Sequence, residues 1–262
     1  MDLGPEPIDH TNRLKIAESI ADQLKNHFKE RVIAIAVYGS LSKGTDGPYS
    51  DIEMDCVLDD LGRDQRLEWC GGGLKAEVDI FSVNSILKKA AEVGPKWAIS
   101  HGIYIHFLPI YDPTNLYVHR LKTALSQPEY KFRQAMRDLI VEEMFEMEGK
   151  IRNAGKRKEF STLAYYAVGQ ARWGALLLGL ANRYMYSSFD KIFNESLELD
   201  GRPDGYDELC RLVISGEPSN PELVLNACEK YWSGVSAWAK EKGIKLIDDF
   251  REILDREIAN IQ

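Results

Sequence analysis

Three acidic side chains, Asp51, Glu53 and Asp55, interrupt a short apolar run of the chain. Side chains alternate between the two faces of a β-strand, so a strand over 51–58 places these carboxylates on one face and apolar residues on the other. Carboxylates on one face repel one another, and burying them without partners is costly. Because Mg²⁺ prefers hard carboxylate oxygens, the pattern predicts a site for a divalent cation.

A second apolar run, residues 32–38, ends abruptly in Gly39 and Ser40, shortly before the acidic strand. Glycine lets backbone N–H groups approach a ligand closely, and such a turn suits a phosphate group. A phosphate site beside a Mg²⁺ site predicts a nucleoside triphosphate as the ligand. The alternative is a solvated acidic surface strand joined to a glycine-rich loop, and the combined spacing of turn and acids favours the nucleotide site.

The composition narrows the class of protein. The 262 residues include 33 Lys and Arg against 41 Asp and Glu, a net charge of −8. Nucleic-acid affinity depends on Lys and Arg, so we expect no nucleic-acid partner, whereas a polycationic ligand suits an acidic chain. The N-terminus lacks the pattern of a signal peptide, and no apolar run approaches the roughly 20 residues of a membrane helix. We therefore expect a cytoplasmic protein that does not bind membranes.

The order of elements predicts an α+β fold. A mixed β-sheet with helices is expected over residues 1–112, and only helices are expected from 113 onward. We assign an α/β domain to residues 1–125 and an all-α helical bundle to 126–262. The elements expected in the first part are a helix to about residue 30, strands over 32–38, 51–58, 74–81 and 103–110, a short helix over 63–70 and a helix from Ser82 to about 93.

The predicted helix over 129–153 carries charges of its own. Most of its surface is apolar, which is typical of a buried helix. Glu142, Glu146 and Lys150 are each four residues apart and therefore form one polar stripe, with Glu143 close by. The stripe either lines a cleft or is an ordinary ion pair on a solvated surface, and the sequence favours neither.

Several stretches together resemble a known enzyme family. A Gly-Ser turn followed by D-x-E between two strands is similar to the nucleotidyltransferase superfamily that includes DNA polymerase beta. The longer string from Tyr38 to Met54 resembles the aminoglycoside 4'-O-nucleotidyltransferases, the kanamycin nucleotidyltransferase family. The blocks K-A-E-V-D at 75–79, V-E-E-M-F-E-M-E-G-K at 141–150 and G-Y-D-E-L-C at 205–210 resemble that family in the same order.

The resemblance implies a role for each candidate residue. It implies a nucleotidyltransferase-type sheet domain, a helical domain, and a homodimer whose active sites are shared between subunits. By position, Asp51, Glu53 and Glu77 match the metal acids, and Glu146 matches the general base. Lysine at 43 replaces an expected arginine, and Asp55 replaces an expected apolar residue. The remaining assignments are Gly39, Ser40, Lys43, Thr45 and Lys150 at the nucleotide, and Glu142, Glu143 and Glu77 at the aminoglycoside.

The predicted reaction is transfer of AMP from Mg-ATP to a hydroxyl group, expected to be the 4' hydroxyl, of a kanamycin- or tobramycin-like antibiotic. Two Mg²⁺ ions assist, pyrophosphate leaves, and the modification confers antibiotic resistance. Alternatives are a nucleotidyltransferase that acts on another small molecule, an RNA end or a protein, and an inactive binding module on the same fold. The inactive module is disfavoured because none of the metal acids is missing.

Overall fold

The computed structural model describes residues 4–216, 220–246 and 249–259. The chain forms two compact units. The first runs to Glu92 and adds Ile99–Gln127 and Met185–Phe189, and the second contains Val93–Ala98, Pro128–Tyr184 and the described residues from Asp190 onward. The domain ranges expected from the sequence, 1–125 and 126–262, stay a proposal.

The first unit is built on a five-stranded mixed sheet in the order β3-β4-β2-β1-β5. Strands β2 and β4 are parallel, and every other neighbouring pair is antiparallel. The predicted α+β class with a mixed sheet is confirmed. The strands are β1 Val32–Val37, β2 Ile52–Leu58, β3 Gln65–Gly71, β4 Leu74–Ser82 and β5 Leu108–Tyr111.

Helices cover both faces of this sheet. Helix α1, His10–Phe28, begins at Asp9, whose carboxylate accepts a hydrogen bond from the backbone N–H of Asn12. Its buried side packs on the apolar face of β2, which presents Ile52, Met54 and Cys56. On the opposite face, α3 Val83–Ala90 and α5 Leu116–Leu125 pack against the sheet through Ile86, Leu116 and Tyr117. The short helices α2 Gly39–Lys43 and α4 Trp97–Ser100 lie in connections.

Two predicted elements of the first unit are wrong in part. Residues 63–70 do not form a helix, because Gln65–Gly71 pairs with β4 as an exposed edge strand. The alternation of polar and apolar residues in that segment suits a strand better than a helix. The strand expected over 103–110 is shorter: Gly102–Tyr104 is a 3₁₀ turn, and pairing begins only at Leu108.

The second unit contains helices and no strand among its described residues, as the sequence predicted. The predicted helix over 129–153 is continuous to Arg157, but its middle winds as a π-helix over Leu139–Met144. No helix in the described part of the chain is both long and apolar enough to cross a membrane. The helices are α6 Glu129–Asp138, α7 Phe145–Arg157, α8 Leu163–Asn182, α9 Ile192–Ser196, α10 Tyr206–Ile214, α11 Pro221–Glu241 and α12 Phe250–Ala259.

Candidate active site

The predicted metal acids of the first unit converge around one ammonium group. Glu53 on β2 and Glu77 on β4 are direct neighbours in the parallel register, and Asp51 precedes β2. The Nζ of Lys75 lies 3.5 Å from Asp51 Oδ2, 3.2 Å from Glu77 Oε2 and 3.0 Å from Glu68 Oε1. One cation therefore contacts Glu77 on β4, Glu68 on β3 and Asp51 immediately before β2.

Glu53 carries the strongest electrostatic sign of a cation site. Burial, followed by the charges of Asp51 and Glu77, raises the pKa of Glu53 to about 7, against the opposing effect of Lys75 and Lys43. A carboxyl group whose pKa is raised in this way gains from a nearby positive charge.

The donor set fits a divalent cation in its chemistry. The oxygens of Asp51, Glu53 and Glu77 are hard ligands of the kind that Mg²⁺ accepts, and the Lys75 ammonium already lies between two of these groups. Over 4–216, 220–246 and 249–259, however, no three His, Cys, Asp or Glu side chains are arranged as metal ligands.

The Gly-Ser turn lies directly against Glu53. Gly39 has a φ of +69°, and a methyl carbon added there would overlap Glu53 Oε2. The backbone N–H of Tyr38 donates to the carbonyl of Glu53 at 3.0 Å. The predicted phosphate turn and one predicted metal acid are thus neighbours, and only glycine satisfies both the backbone conformation and the close approach.

The other predicted nucleotide residues of this unit lie in and after α2. Ser40 is half-buried, and its carbonyl accepts the backbone N–H of Thr45 at 3.1 Å. The Nζ of Lys43 donates to the carbonyl oxygen of Ser187 at 2.8 Å. The lysine that replaces the expected arginine is therefore bound to a backbone carbonyl in this structure.

Further side chains around Glu77, those of Tyr38, Asp79 and Arg66, form a connected polar group that was not predicted from the sequence. The Tyr38 hydroxyl is 3.4 Å from Glu77 Oε1 and 3.5 Å from Asp79 Oδ2. Arg66 donates two hydrogen bonds to Asp79, at 2.7 and 2.6 Å. Alternation along β4 places Asp79 on the face of Glu77, but Arg66 could not be identified while its segment was expected to be helical.

Asp55 has a different environment from the other acids of β2. It is 1% exposed and forms an ion pair with Arg120, which is equally buried. The Arg120 guanidinium lies 4.4 Å from the ring centre of Tyr104 and 4.8 Å from that of Tyr117. Burial raises the pKa of Asp55, and Arg120 opposes that rise. Asp55 is therefore a buried structural acid paired within the first unit.

The predicted acids of the second unit lie on and after the π-helix. Glu142 is exposed and Glu143 half-buried within the π-helical segment. Glu146 and Lys150 are exposed on α7, where Lys150 Nζ lies 2.6 Å from Glu146 Oε1. Because hydrogen bonds in a π-helix span five residues, Glu142 does not keep the regular four-residue spacing that the predicted stripe assumed. The catalytic roles of these residues stay predictions.

The predicted site residues thus fall into two groups, each assembled in its own unit. The first unit holds Gly39, Ser40, Lys43, Thr45, Asp51, Glu53 and Glu77, and the second holds Glu142, Glu143, Glu146 and Lys150.

The fold of the first unit, with opposed carboxylates on two parallel strands beside a Gly-Ser turn, is that of a nucleotidyltransferase. A solved structure, a nucleotidyltransferase-like protein from Exiguobacterium sibiricum, is similar with a TM-score of 0.52 at 11% identity. The similarity covers 86% of this chain and 75% of that one, and it supports the fold alone.

Sequence comparison identifies the family. Residues 115–245 match the model of the KNTase C-terminal domain. The chain is 37% identical over 240 residues to aminoglycoside nucleotidyltransferase (4') from a Bacillus species and to that from Staphylococcus aureus. Each match covers 92% of this chain and 95% of the relative. The chain belongs to the aminoglycoside nucleotidyltransferase (4') family and is a nucleotidyltransferase enzyme.

Proposed function

We propose that the protein transfers AMP from ATP to the 4' hydroxyl of an aminoglycoside antibiotic, releases pyrophosphate and so confers resistance. The observation that carries this proposal is the convergence of Asp51 and Glu77 on one cation beside Glu53 and the Gly-Ser turn, in a chain that is 37% identical to named aminoglycoside nucleotidyltransferases (4'). The alternative of a catalytically inactive module is disfavoured because these acids are all present.

The first unit binds the nucleotide. Asp51 and Glu53 would hold two Mg²⁺ ions with Glu77 as a further ligand, and bound Mg²⁺ neutralises charge on the phosphate oxygens. Glu53 reaches the turn at Gly39, so its carboxylate and the backbone of the turn can face the same triphosphate. Ser40, Lys43 and Thr45 contact the phosphates. For Lys43 this role requires exchange of its hydrogen bond to Ser187.

The second unit supplies the groups that act on the acceptor alcohol. Glu146 accepts the proton of the sugar hydroxyl while the hydroxyl oxygen forms a bond to the α-phosphorus. The bond from that phosphorus to the β-phosphate oxygen breaks, and its electron pair leaves with pyrophosphate. Lys150 offsets the growing negative charge on the phosphates. Glu146 and Lys150 lie 2.6 Å apart on α7, so one part of this helix presents both proposed groups.

The acceptor is a polycation. Glu142 and Glu143 lie next to each other in the π-helical segment and offer two carboxylates to ammonium groups of the drug. The net charge of −8 favours such a ligand and opposes a nucleic acid. We further propose a homodimer with shared active sites, for which molar mass in solution is the direct test.

Incubation of the purified protein with kanamycin or tobramycin, ATP and Mg²⁺ tests the proposal. Mass spectrometry should show an adenylylated drug, and NMR should place the new group on the 4' oxygen. Glu146→Gln should lower kcat by about 10²–10⁴-fold with little change in the KM for ATP, because only a proton acceptor is removed. Glu159→Gln, an exposed acid beyond α7, is the control and should keep full activity. Transfer of AMP to RNA or protein but to no aminoglycoside would refute the proposed substrate.

A further inference from the structure

A buried polar cluster lies on the inner side of the helix that carries Glu146 and Lys150. Glu148 is only 2% exposed, although it is flanked on α7 by two exposed charged residues. Residues two apart on a helix point to nearly opposite sides, so Glu148 faces the core of the second unit while Glu146 faces outward. The proposed reaction gives Glu148 no direct role.

Glu148 shares a donor with the end of the π-helix. The side-chain Nε2 of Gln170, a fully buried residue of α8, is 3.3 Å from Glu148 Oε2 and 3.3 Å from the carbonyl oxygen of Met144. Met144 is the last residue of the π-helical segment, and α7 begins at the next residue. One buried amide group therefore ties the π-to-α junction of this helix to Glu148.

The same carboxyl group faces a second acid across a single arginine. The Nε of Arg152 lies 3.2 Å from Glu148 Oε1, and Arg152 donates to both oxygens of Glu229 on α11 at 2.7 and 2.8 Å. Burial and the charge of Glu229 raise the pKa of Glu148 to about 7, whereas Arg152 lowers the pKa of Glu229. The other titratable neighbour is Cys228, whose thiol pKa is raised to about 12 by burial, so it stays neutral. The pKa of Glu148 is thus shifted upward by its surroundings and that of Glu229 downward.

Stability alone does not explain a carboxyl group at this position. Side chains of similar volume and no charge often replace buried ionic groups without loss of stability. Glu148 Oε1 has the ion-pair contact with Arg152 but no well-formed hydrogen bond, and Gln170 Oε1 is buried without a hydrogen-bond partner, so the cluster is not fully satisfied. A π-helical segment winds differently from the helix on either side, and its register must be held by contacts to neighbouring helices.

We propose that Glu148 is a positioning residue, which through Gln170 fixes the register where the π-helix passes into α7 and so places Glu146 and Lys150 for catalysis. This inference rests on the proposed function. The cluster joins α7 to both α8 and α11, through Gln170 and Glu229. Losing the contact lets the junction shift, which moves the proposed base and the proposed phosphate-binding lysine together.

The first test compares Glu148→Gln with Glu148→Leu. The leucine should lower kcat for drug adenylylation about tenfold or more, leave the KM for ATP unchanged and leave Tm equal or higher. The glutamine, which keeps a hydrogen-bonding group of the same shape, should recover most of the activity. It should also remove any contribution of this group to the kcat–pH profile near pH 7. Wild-type kcat in Glu148→Leu would overturn the proposal.

The control removes a different buried hydrogen bond of the same unit. Tyr206 and Ser196 are both buried and bonded through their hydroxyl groups at 2.6 Å. Tyr206→Phe should lower Tm and leave kcat unchanged. An equal loss of kcat in Tyr206→Phe would show that general destabilisation, and not the position of α7, limits turnover, and would refute the proposal.

A measurement that does not depend on activity separates this inference from the proposed reaction. In Glu148→Leu, amide hydrogen exchange should increase over residues 139–150, and in Tyr206→Phe it should not. If Glu146→Gln retained full turnover, the base assignment would fail, yet faster exchange at the junction in Glu148→Leu would still show that Glu148 fixes its register. Unchanged exchange in Glu148→Leu would overturn the positioning role whatever the reaction.

Discussion

The two units position their acids by different physical means. In the sheet unit, strand alternation and the parallel register place Glu53 and Glu77 side by side. In the helical unit, the acids lie on a helix whose middle winds as a π-helix, and the distant residue Gln170 contacts the end of that segment. A strand places side chains by local geometry alone, whereas the winding of an interrupted helix depends on what packs against it. The face that Glu53 occupies is therefore visible in the sequence, its pairing with Glu77 was implied only by the family resemblance, and the winding of the helix was not visible.

The largest expected effect comes from the sheet unit. Asp51→Ala removes a proposed metal ligand and leaves Lys75 with fewer carboxylates to contact. Because a catalytic metal contributes several kcal/mol to stabilising the transition state, turnover should fall by about 10³-fold or more. Release of pyrophosphate is the measurement. Asp59→Asn, an exposed acid after the end of β2, is the matched control and should keep full activity. Substantial turnover in Asp51→Ala would contradict the metal assignment.

The two units also differ in their ion pairs, and stability measurements can compare them. Arg120→Met leaves Asp55 buried without its partner, which should cost about 3–5 kcal/mol in the free energy of unfolding. The double variant Asp55→Leu with Arg120→Met should recover much of that loss. In the helical unit, Lys230 and Glu208 form an exposed pair at 2.8 Å, and Lys230→Met should leave the free energy of unfolding nearly unchanged, because solvent screens the pair. Equal losses in the two single variants, measured by urea unfolding, would refute this comparison.

The contact between the glycine turn and Glu53 gives a smaller and more local effect. Gly39→Ala and Gly44→Ala both place an alanine at a positive φ, which costs about 1–2 kcal/mol. Only the first also forces a methyl group onto Glu53, since nothing lies within 4 Å of the Cβ position at Gly44. Gly39→Ala should therefore raise the Mg²⁺ concentration needed for half-maximal activity, and Gly44→Ala should not. The same Mg²⁺ dependence in both variants would show that backbone strain alone is responsible.

Much of the sheet unit could be predicted because its signals are local. Alternation gives the faces of β2, and Asp9 and Thr11 are both residue types that cap a helix near the start of α1, where the structure shows Asp9 in that role. The exposed edge strand β3 was missed because it buries no face that would fix its pattern. The partner of Asp55 could not be predicted either, since Arg120 is 65 residues away in the chain.

In the helical unit the sequence predicted helices but not their detail. The segment L-I-V-E-E-M over Leu139–Met144 is compatible with an ordinary α-helix, and its residue types do not predict a π-helix. The segment also has a contact that no local pattern contains, since Gln170, which donates to the Met144 carbonyl, is 26 residues away in the chain. The burial of Glu148 could not be predicted either, because a helix that is apolar nearly all round gives no sign of which acid it buries.

The smallest expected effect is on how the stability of the protein depends on pH. The change of stability with pH should have opposite signs in the two units. Burial lowers the pKa of His101, in the sheet unit, from 6.5 to about 4, so its contribution is complete above pH 6.5 and is lost as pH falls through 4. Burial raises the pKa of Glu148 from 4.5 to about 7, so its contribution is complete below pH 4.5 and is lost as pH rises through 7.

Single substitutions separate the part of the Tm–pH profile that His101 causes from the part that Glu148 causes. Thermal unfolding between pH 4 and 8 should show a flatter acid limb in His101→Asn and a flatter limb between pH 4.5 and 7 in Glu148→Gln, each by a few degrees in Tm. Arg120 is the charged group near His101, and Arg152 and Glu229 are those near Glu148. None of these three changes in the two variants. If either substitution only shifted Tm by a constant amount at every pH, the assigned group would not be the one that titrates. Because the limbs belong to different units, the same variants also show whether acid and neutral pH destabilise different parts of the chain.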